Sequence, residues 1–194
     1  YVSKGLESFQ QVQSDYKNKF EVLVVNDGST DDTAKVAEEI LAQDSLLDGR
    51  VITKENGGHG STINRGIQEA KGKFFKVIDG DDWVIPSEFE KFLDTLETVD
   101  VDMVITDFTE QHVYNNTTVR NDLVDKYEIG KKHMGIPDVR IPMHSVTYKT
   151  SILSENKIRL SEKTFYVDIQ YTLFPLEYVH SFSYWNYDIY QYYI

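Results

Sequence analysis

The sequence predicts an α/β fold in which a mostly parallel sheet is flanked by helices, and three observations carry that prediction. Short apolar or β-branched runs recur at Phe20–Val25, Val51–Thr53, Phe74–Ile78 and Met103–Thr106. Stretches with apolar residues at helical spacing alternate with them. The turns that follow the first two strands hold Asn26-Asp27-Gly28-Ser29 and Asn56-Gly57-Gly58-His59-Gly60, polar and glycine-rich as strand-to-helix turns are.

In chain order, Leu6, Phe9, Val12 and Tyr16 predict a helix over Gly5–Lys17, followed by the strand Phe20–Val25. A helix is expected from about Thr30 to Gln43, with Val36, Ile40 and Leu41 inward and Asp31 and Asp32 in the first turn, where the helix dipole favours acids. Val51–Thr53 is a short strand, and a second helix runs from about Ser61 to Ala70, with Gly72 placed to end it. The strand at Phe74 reaches Asp79, and Phe89, Phe92, Leu93 and Leu96 mark the next amphipathic helix before the strand Met103–Thr106. Phe108 to Val124 alternates around Asn115-Asn116 and reads as a hairpin. Asp125–Pro142 is polar and is expected to be a loop or lid, Ser145–Asn156 and Val167–Tyr178 helical, and Phe182–Tyr193 a closing strand. The tyrosines of that strand suit either a sugar platform or, more often for such a strand, core or interface, which leaves room for a homodimer.

Composition narrows the partners. A chain of 194 residues is one domain with a sizeable core. Its net charge of −12, with no basic cluster longer than Lys131-Lys132, argues against nucleic acid or an anionic membrane surface as main partner. An anionic substrate therefore calls for a bridging metal. There is no cysteine, which excludes disulfides, thiolate metal sites and cysteine nucleophiles. No apolar run approaches the ~18 residues of a membrane span, and Asn115-Asn116-Thr117-Thr118 reads as a polar turn rather than a glycosylation site.

The chemistry gathers at Val77-Ile78-Asp79-Gly80-Asp81-Asp82-Trp83, where three carboxylates follow an apolar strand. In open α/β sheets that end of a strand is the usual ligand crevice, and acids crowded there repel one another unless a cation lies between them. Hard oxygen ligands favour Mg²⁺ or Mn²⁺. The competing reading is that Asp81 or Asp82 helps to start the helix after Pro86. An EF-hand loop is excluded, because Val84 stands where its glycine is required. His59 and His144 have the chemistry of ligands or acid/base groups but read more often as polar loop histidines, and Lys54 and Arg65 either help a nucleotide or are simply solvated.

Asp27-Gly28-Ser29 after one strand, Asn56-Gly57-Gly58 before a helix, and Asp79-Gly80-Asp81-Asp82-Trp83 after another strand together resemble the inverting glycosyltransferase family 2, of GT-A fold. The resemblance covers roughly residues 1–106 and is carried further by Tyr166-Val167-Asp168, similar to an acidic pair that precedes a helix in the family. Val167 stands where the family often has Glu, and Asn26 where it commonly has Asp. The family also opens on a hydrophobic strand that this chain, starting at Tyr1, does not show, so the resemblance implies a first strand missing from the sequence.

What the resemblance implies is a single GT-A domain, with a nucleotide-binding half over residues 1–106 and an acceptor-side half over 107–194. It further implies a metal-dependent transfer of a sugar from a nucleotide-diphosphate sugar, a UDP-sugar favoured, to a hydroxyl of a glycan or lipid-linked acceptor. Asp27, Asn56, Gly57, Asp79 and Asp81 would bind the donor, Asp81 and Asp82 the Mn²⁺ or Mg²⁺, and Asp168 would be the general base. A cytoplasmic location, peripheral to the inner face of a membrane, is expected. Two other readings stand beside this one: a non-catalytic nucleotide-sugar or carbohydrate-binding module, and a pyrophosphorylase-like nucleotidyltransferase. The second lacks a basic glycine-rich loop near the start.

Overall fold

The computed structural model describes residues 2–194, so Tyr1 lies outside the described residues. The first half keeps the expected order of helices and strands, with an α1 that ends at Gln10 rather than Lys17 and an added short strand β4: α1 (Val2–Gln10), β1 (Glu21–Asn26), α2 (Thr33–Ala42), β2 (Asp48–Thr53), α3 (His59–Glu69), β3 (Phe74–Phe75), β4 (Trp83–Val84) and α4 (Pro86–Thr98). The second half is strand-rich, with β5 (Met103–His112), β6 (Thr117–Asn121), β7 (Lys132–Met134), β8 (Val146–Lys149), α5 (Thr150–Glu155), α6 (Val167–Leu173) and β9 (Ser181–Tyr193).

The chain is α/β with helices flanking its sheets, but the sheet is mixed rather than mostly parallel. β1 and β2 pair in parallel as a separate ribbon, while the larger sheet runs β3-β8-β5-β9-β4, with β6 added to β5 and β7 to β9. Within it only β5 and β9 are parallel. β6 follows β5 through a hairpin, a connection that permits only antiparallel pairing, whereas β9 reaches its parallel place beside β5 only after β6, β7, β8, α5 and α6 have intervened.

Three local expectations are corrected. Ser145–Asn156 is not mainly helical: Val146-Thr147-Tyr148-Lys149 forms β8 between β3 and β5, and only Thr150–Glu155 is helix. Its β-branched and aromatic side chains suit that buried position. The expected loop at 125–142 contains the short strand β7. Helix α2 starts at Thr33, with Asp31 outside it accepting from the Thr33 N–H at 3.0 Å.

The central strand β5 is buried on both faces. Met103 and Ile105 enter one core with Ile67, Tyr148, Leu153 and Tyr171, while Val104 enters the other with Leu6, Ile40, Phe92 and Ile189. Period-two alternation sends neighbours to opposite faces, and both faces are covered here. β3 stops at Phe75 instead of reaching Asp79, and a cavity of about 720 Å³ separates Phe74–Asp79 from β1. The edge of β1 that faces it has no strand partner among the described residues. Phe20, Val22, Leu23, Val24 and Val25 on one wall, and Phe74 to Ile78 on the other, are consequently only half-buried. At one end the walls are tied together, since the N–H groups of Lys71 and Gly72 donate to Glu21 Oε1 at 2.6 and 3.1 Å. At the other end the cavity reaches Asp27, His59, Asp79 and Asp82.

Candidate active site

At the end of β1, buried Asn26 accepts from the Ser29 N–H through Oδ1 at 3.1 Å, which turns the chain and aims Asp27 at the glycine loop. Asp27 Oδ1 accepts from Lys54 Nζ at 2.7 Å and from the Gly57 N–H at 2.9 Å, and Oδ2 accepts from the Gly58 N–H at 2.7 Å. Asn56 Nδ2 donates to the Asp27 carbonyl at 3.0 Å. Burial works against the ionised carboxyl, but Lys54 and the two N–H groups outweigh it and hold Asp27 below the usual carboxylate range. The Gly57 and Gly58 N–H groups are thus already taken by Asp27, which locks the loop to β1. Lys54 is committed to the same carboxylate, and Arg65 pairs with Glu69 at 2.7 Å.

The loop also fixes the segment that leads into α6. Gly58 adopts φ 79°, a left-handed conformation that favours glycine, and the Lys163 N–H donates to the Gly57 carbonyl at 2.8 Å. A side chain at Gly60 would fall 2.0 Å from the Ser161 carbonyl oxygen. This close approach brings the start of α3 against the segment leading into α6, and Val167 is buried there. Asp168, in the first turn of α6, is exposed.

The acidic loop is built around β9. The Tyr190 hydroxyl donates to Asp82 Oδ2 and accepts from the Asp79 N–H at 3.1 Å, and the Tyr193 N–H donates to Asp82 Oδ1 at 2.8 Å. Asp82 is fully buried, Asp79 half-buried and Asp81 exposed. Burial, reinforced by the charges of Asp79 and Asp81, pushes the Asp82 carboxyl up to about 7 against its two hydrogen bonds.

Two histidines complete the cluster, and the preferred reading of both as plain polar loop residues is corrected here. His59 Nε2 lies 3.1 Å from Asp79 Oδ1, and this contact raises its pKa against the cost of burial, with the charge of Asp168 adding. A glycine loop running into a helix at His59 was a signal for it. His144, far along the chain, offers one ligand atom within 4.8 Å of atoms from Asp79 and Asp82, an arrangement of a kind that holds a metal ion. Burial lowers its pKa, while the charges of Asp79 and Asp168 oppose that shift. Nothing in the local sequence announces it. The structure therefore joins Asp27 to Asn56 and Gly57, Asp79 to His59, and Asp79 and Asp82 to His144, while Asp81 stays exposed outside that group. Asp168 lies within electrostatic reach of both histidines.

A two-sheet α/β core with an acidic loop at the ends of its strands is the GT-A architecture, and solved structures of that fold match over the whole chain. S. aureus TarS 1-349 in complex with UDP superimposes with a TM-score of 0.77 at 20% identity, covering 100% of this chain and 56% of that one. GalNAc-T7 with UDP, GalNAc and Mn²⁺ does so at 0.66 and 9% identity, covering 100% and 41%. The sequence profile of Glycosyl transferase family 2 matches residues 4–157, and the chain belongs to that family. It is 34% identical over 128 residues to the putative glycosyltransferase EpsH of Bacillus subtilis, covering 66% of this chain and 36% of that relative. It is 25% identical over 189 residues to the teichoic acid poly(glycerol phosphate) polymerase of Staphylococcus epidermidis, covering 94% of this chain and 25% of the polymerase. The chain thus spans about a third or less of the length of these relatives.

Proposed function

We propose that this chain carries the donor-binding and catalytic centre of an inverting sugar transferase, which moves a sugar from a UDP-sugar to a hydroxyl of a glycan or lipid-linked acceptor. The observation that carries this reading is the convergence of Asp27, His59, Asp79 and Asp82 at one end of the central cavity, with Asp168 close enough for its charge to act on His59. Membership of Glycosyl transferase family 2 supports it, and so do fold relatives solved with UDP and with UDP-GlcNAc.

In this reading Asp27 and the Asn56–Gly57 turn shape the base and ribose pocket, and Asp79 faces the ribose or the ion. Asp79, Asp81 and Asp82 would hold Mn²⁺ or Mg²⁺. The donor set fits, because three carboxylates beside a diphosphate repel it and one another until a cation intervenes. When bound, the ion would neutralise negative charge on the departing nucleoside diphosphate. Asp168, across the cleft, takes the proton of the acceptor hydroxyl as that oxygen attacks the anomeric carbon, which inversion requires from the face opposite the leaving group. Residues 1–106 then form the nucleotide side and 107–194 the acceptor side. The site works at the cytoplasmic face of a membrane, where lipid-linked acceptors are presented; no described helix is long and apolar enough to cross one.

One observation favours a binding module instead. Val167, where the family often has Glu, is a core residue 3% exposed, so Asp168 stands alone as an acid there. Calorimetry with uridine, guanosine and thymidine diphosphate sugars, with and without Mn²⁺, tests the donor reading: binding confined to UDP-sugars and strengthened by Mn²⁺ is expected, and binding to none of them would sink it. Asp168→Asn separates enzyme from module. It should keep the donor bound while turnover falls about 10²–10⁴-fold. Donor binding without turnover on any acceptor would favour the module.

A further inference from the structure

We propose that His144 is a ligand of the divalent ion, completing with Asp79 and Asp82 a mixed nitrogen and oxygen site that takes Mn²⁺ in preference to Mg²⁺. The inference rests on the metal-dependent reading above and goes beyond it by assigning a further protein ligand and the ion. Its first support is geometric. One atom each from Asp79, Asp82 and His144 lie within 4.8 Å of one another. Ligand atoms at about 2.0–2.2 Å from one ion are at most about 4.4 Å apart, so a closure of a few tenths of an ångström satisfies coordination.

The second support is independent of the carboxylates. His144 Nδ1 is buried and has no hydrogen-bond partner among the described residues. Buried polar atoms are almost always paired, so an orphaned nitrogen on a ring that also brings a ligand atom to Asp79 and Asp82 points to a missing partner.

The third is that packing fixes the position of the imidazole. Its ring stacks on Tyr192 at 4.1 Å between centroids and 27°, and lies 4.8 Å from Tyr190 and 5.2 Å from Phe108. The His144 carbonyl accepts from Lys76 Nζ at 2.6 Å, which ties its backbone to the segment that leads from β3 to Asp79. Tyr190 serves both sides, since it packs on the His144 ring while its hydroxyl bridges Asp82 and the Asp79 N–H.

The choice of ion follows from the donor set. Mg²⁺ demands near-ideal octahedral oxygen coordination and is usually bound through one or two carboxylates, phosphate oxygens and water. An imidazole nitrogen suits first-row transition ions better, and its contribution is lost on Mg²⁺.

Electron paramagnetic resonance of the 194-residue chain titrated with MnCl₂, with and without UDP, tests this, with UDP binding followed separately by calorimetry. The expected result is bound Mn²⁺ whose spin-echo modulation carries a ¹⁴N coupling, and which MgCl₂ displaces only at about tenfold excess or more. His144→Asn and His144→Gln should lose that coupling, weaken Mn²⁺ binding at least about tenfold and erase the preference over Mg²⁺. His59→Asn should keep the coupling, which excludes the neighbouring imidazole as its source. The wild-type spectrum needs no variant to fold, so bound Mn²⁺ without nitrogen coupling overturns the His144 assignment while leaving a metal-dependent enzyme in place. Equal Mn²⁺ affinity in a folded His144 variant also overturns it. Absence of Mn²⁺ binding even with UDP present overturns both the assignment and the metal-dependent reading.

Discussion

Tyr190 shows how much of the site rests on a single side chain. Its ring is fully buried, yet its hydroxyl organises the acidic loop by holding Asp82 and the backbone of Asp79. Tyr190→Phe removes the hydroxyl and leaves a buried carboxylate oxygen and a backbone N–H without that partner, so a loss of about 1–3 kcal/mol in urea unfolding is expected. Asp82 makes a pH prediction. Its folded pKa is raised to about 7 while the unfolded value stays near 3.8. Protonation therefore favours the folded state, and the contribution is present in full below the unfolded value and lost as pH rises through about 7. In chelator, the urea midpoint should be higher at pH 5 than at pH 8, and Asp82→Asn should flatten that difference. An unchanged slope in the variant would assign the pH dependence to other groups, such as His59.

Among the elements, α3 does the most to join the two sides of the cleft. Gly60 in its first turn lets the helix touch the backbone at Ser161, and the adjoining segment carries Asp168. Gly60→Ala forces the two apart, because its new carbon meets a carbonyl rather than the flexible end of a side chain. A loss of about 1–3 kcal/mol is expected, as for overpacking elsewhere. Turnover should fall further than donor affinity, because the displaced segment holds the proposed base while Asp27 and its loop stay tied to β1. Donor titration alongside steady-state rates checks that split. Element β8 carries the opposite lesson: Val146 to Lys149 lie in a stretch whose spacing suggested a helix, and pairing with β3 and β5 decided otherwise.

Across the whole molecule, stability is distributed unevenly. β5 is covered on both faces, whereas among the described residues β1 pairs with β2 alone and borders the 720 Å³ cavity. Segments with half-buried apolar residues and a single strand partner open at lower free energy than central ones. Amide exchange should therefore be at least about tenfold faster at Val22–Val25 than at Val104–Thr106. UDP with Mn²⁺ should slow it at the Asp27 end first, because that is where the proposed donor site meets β1. Equal protection in the two strands would mean that the cavity walls close together in solution.

The sequence by itself determined the order of strands and helices through Thr98 apart from the two-residue β4, since period-two and helical spacing are local properties that the backbone obeys directly. It also placed Asp27, the Asn56–Gly57 turn and the three acids of the 79–82 loop beside strand ends, because glycine and acidic turns announce themselves without tertiary help. The sense of strand pairing after β5 was not legible, as it depends on which edges meet. Nor was the consumption of the Gly57 and Gly58 N–H groups by Asp27, which joins two turns distant in sequence. His144 is the clearest case. Nothing around it in the chain signals chemistry, and only the packing of β8 and β9 against the acidic loop brings its ring to Asp79 and Asp82. A site assembled from several elements is specified by distances in space, and residue order constrains those distances only through the fold.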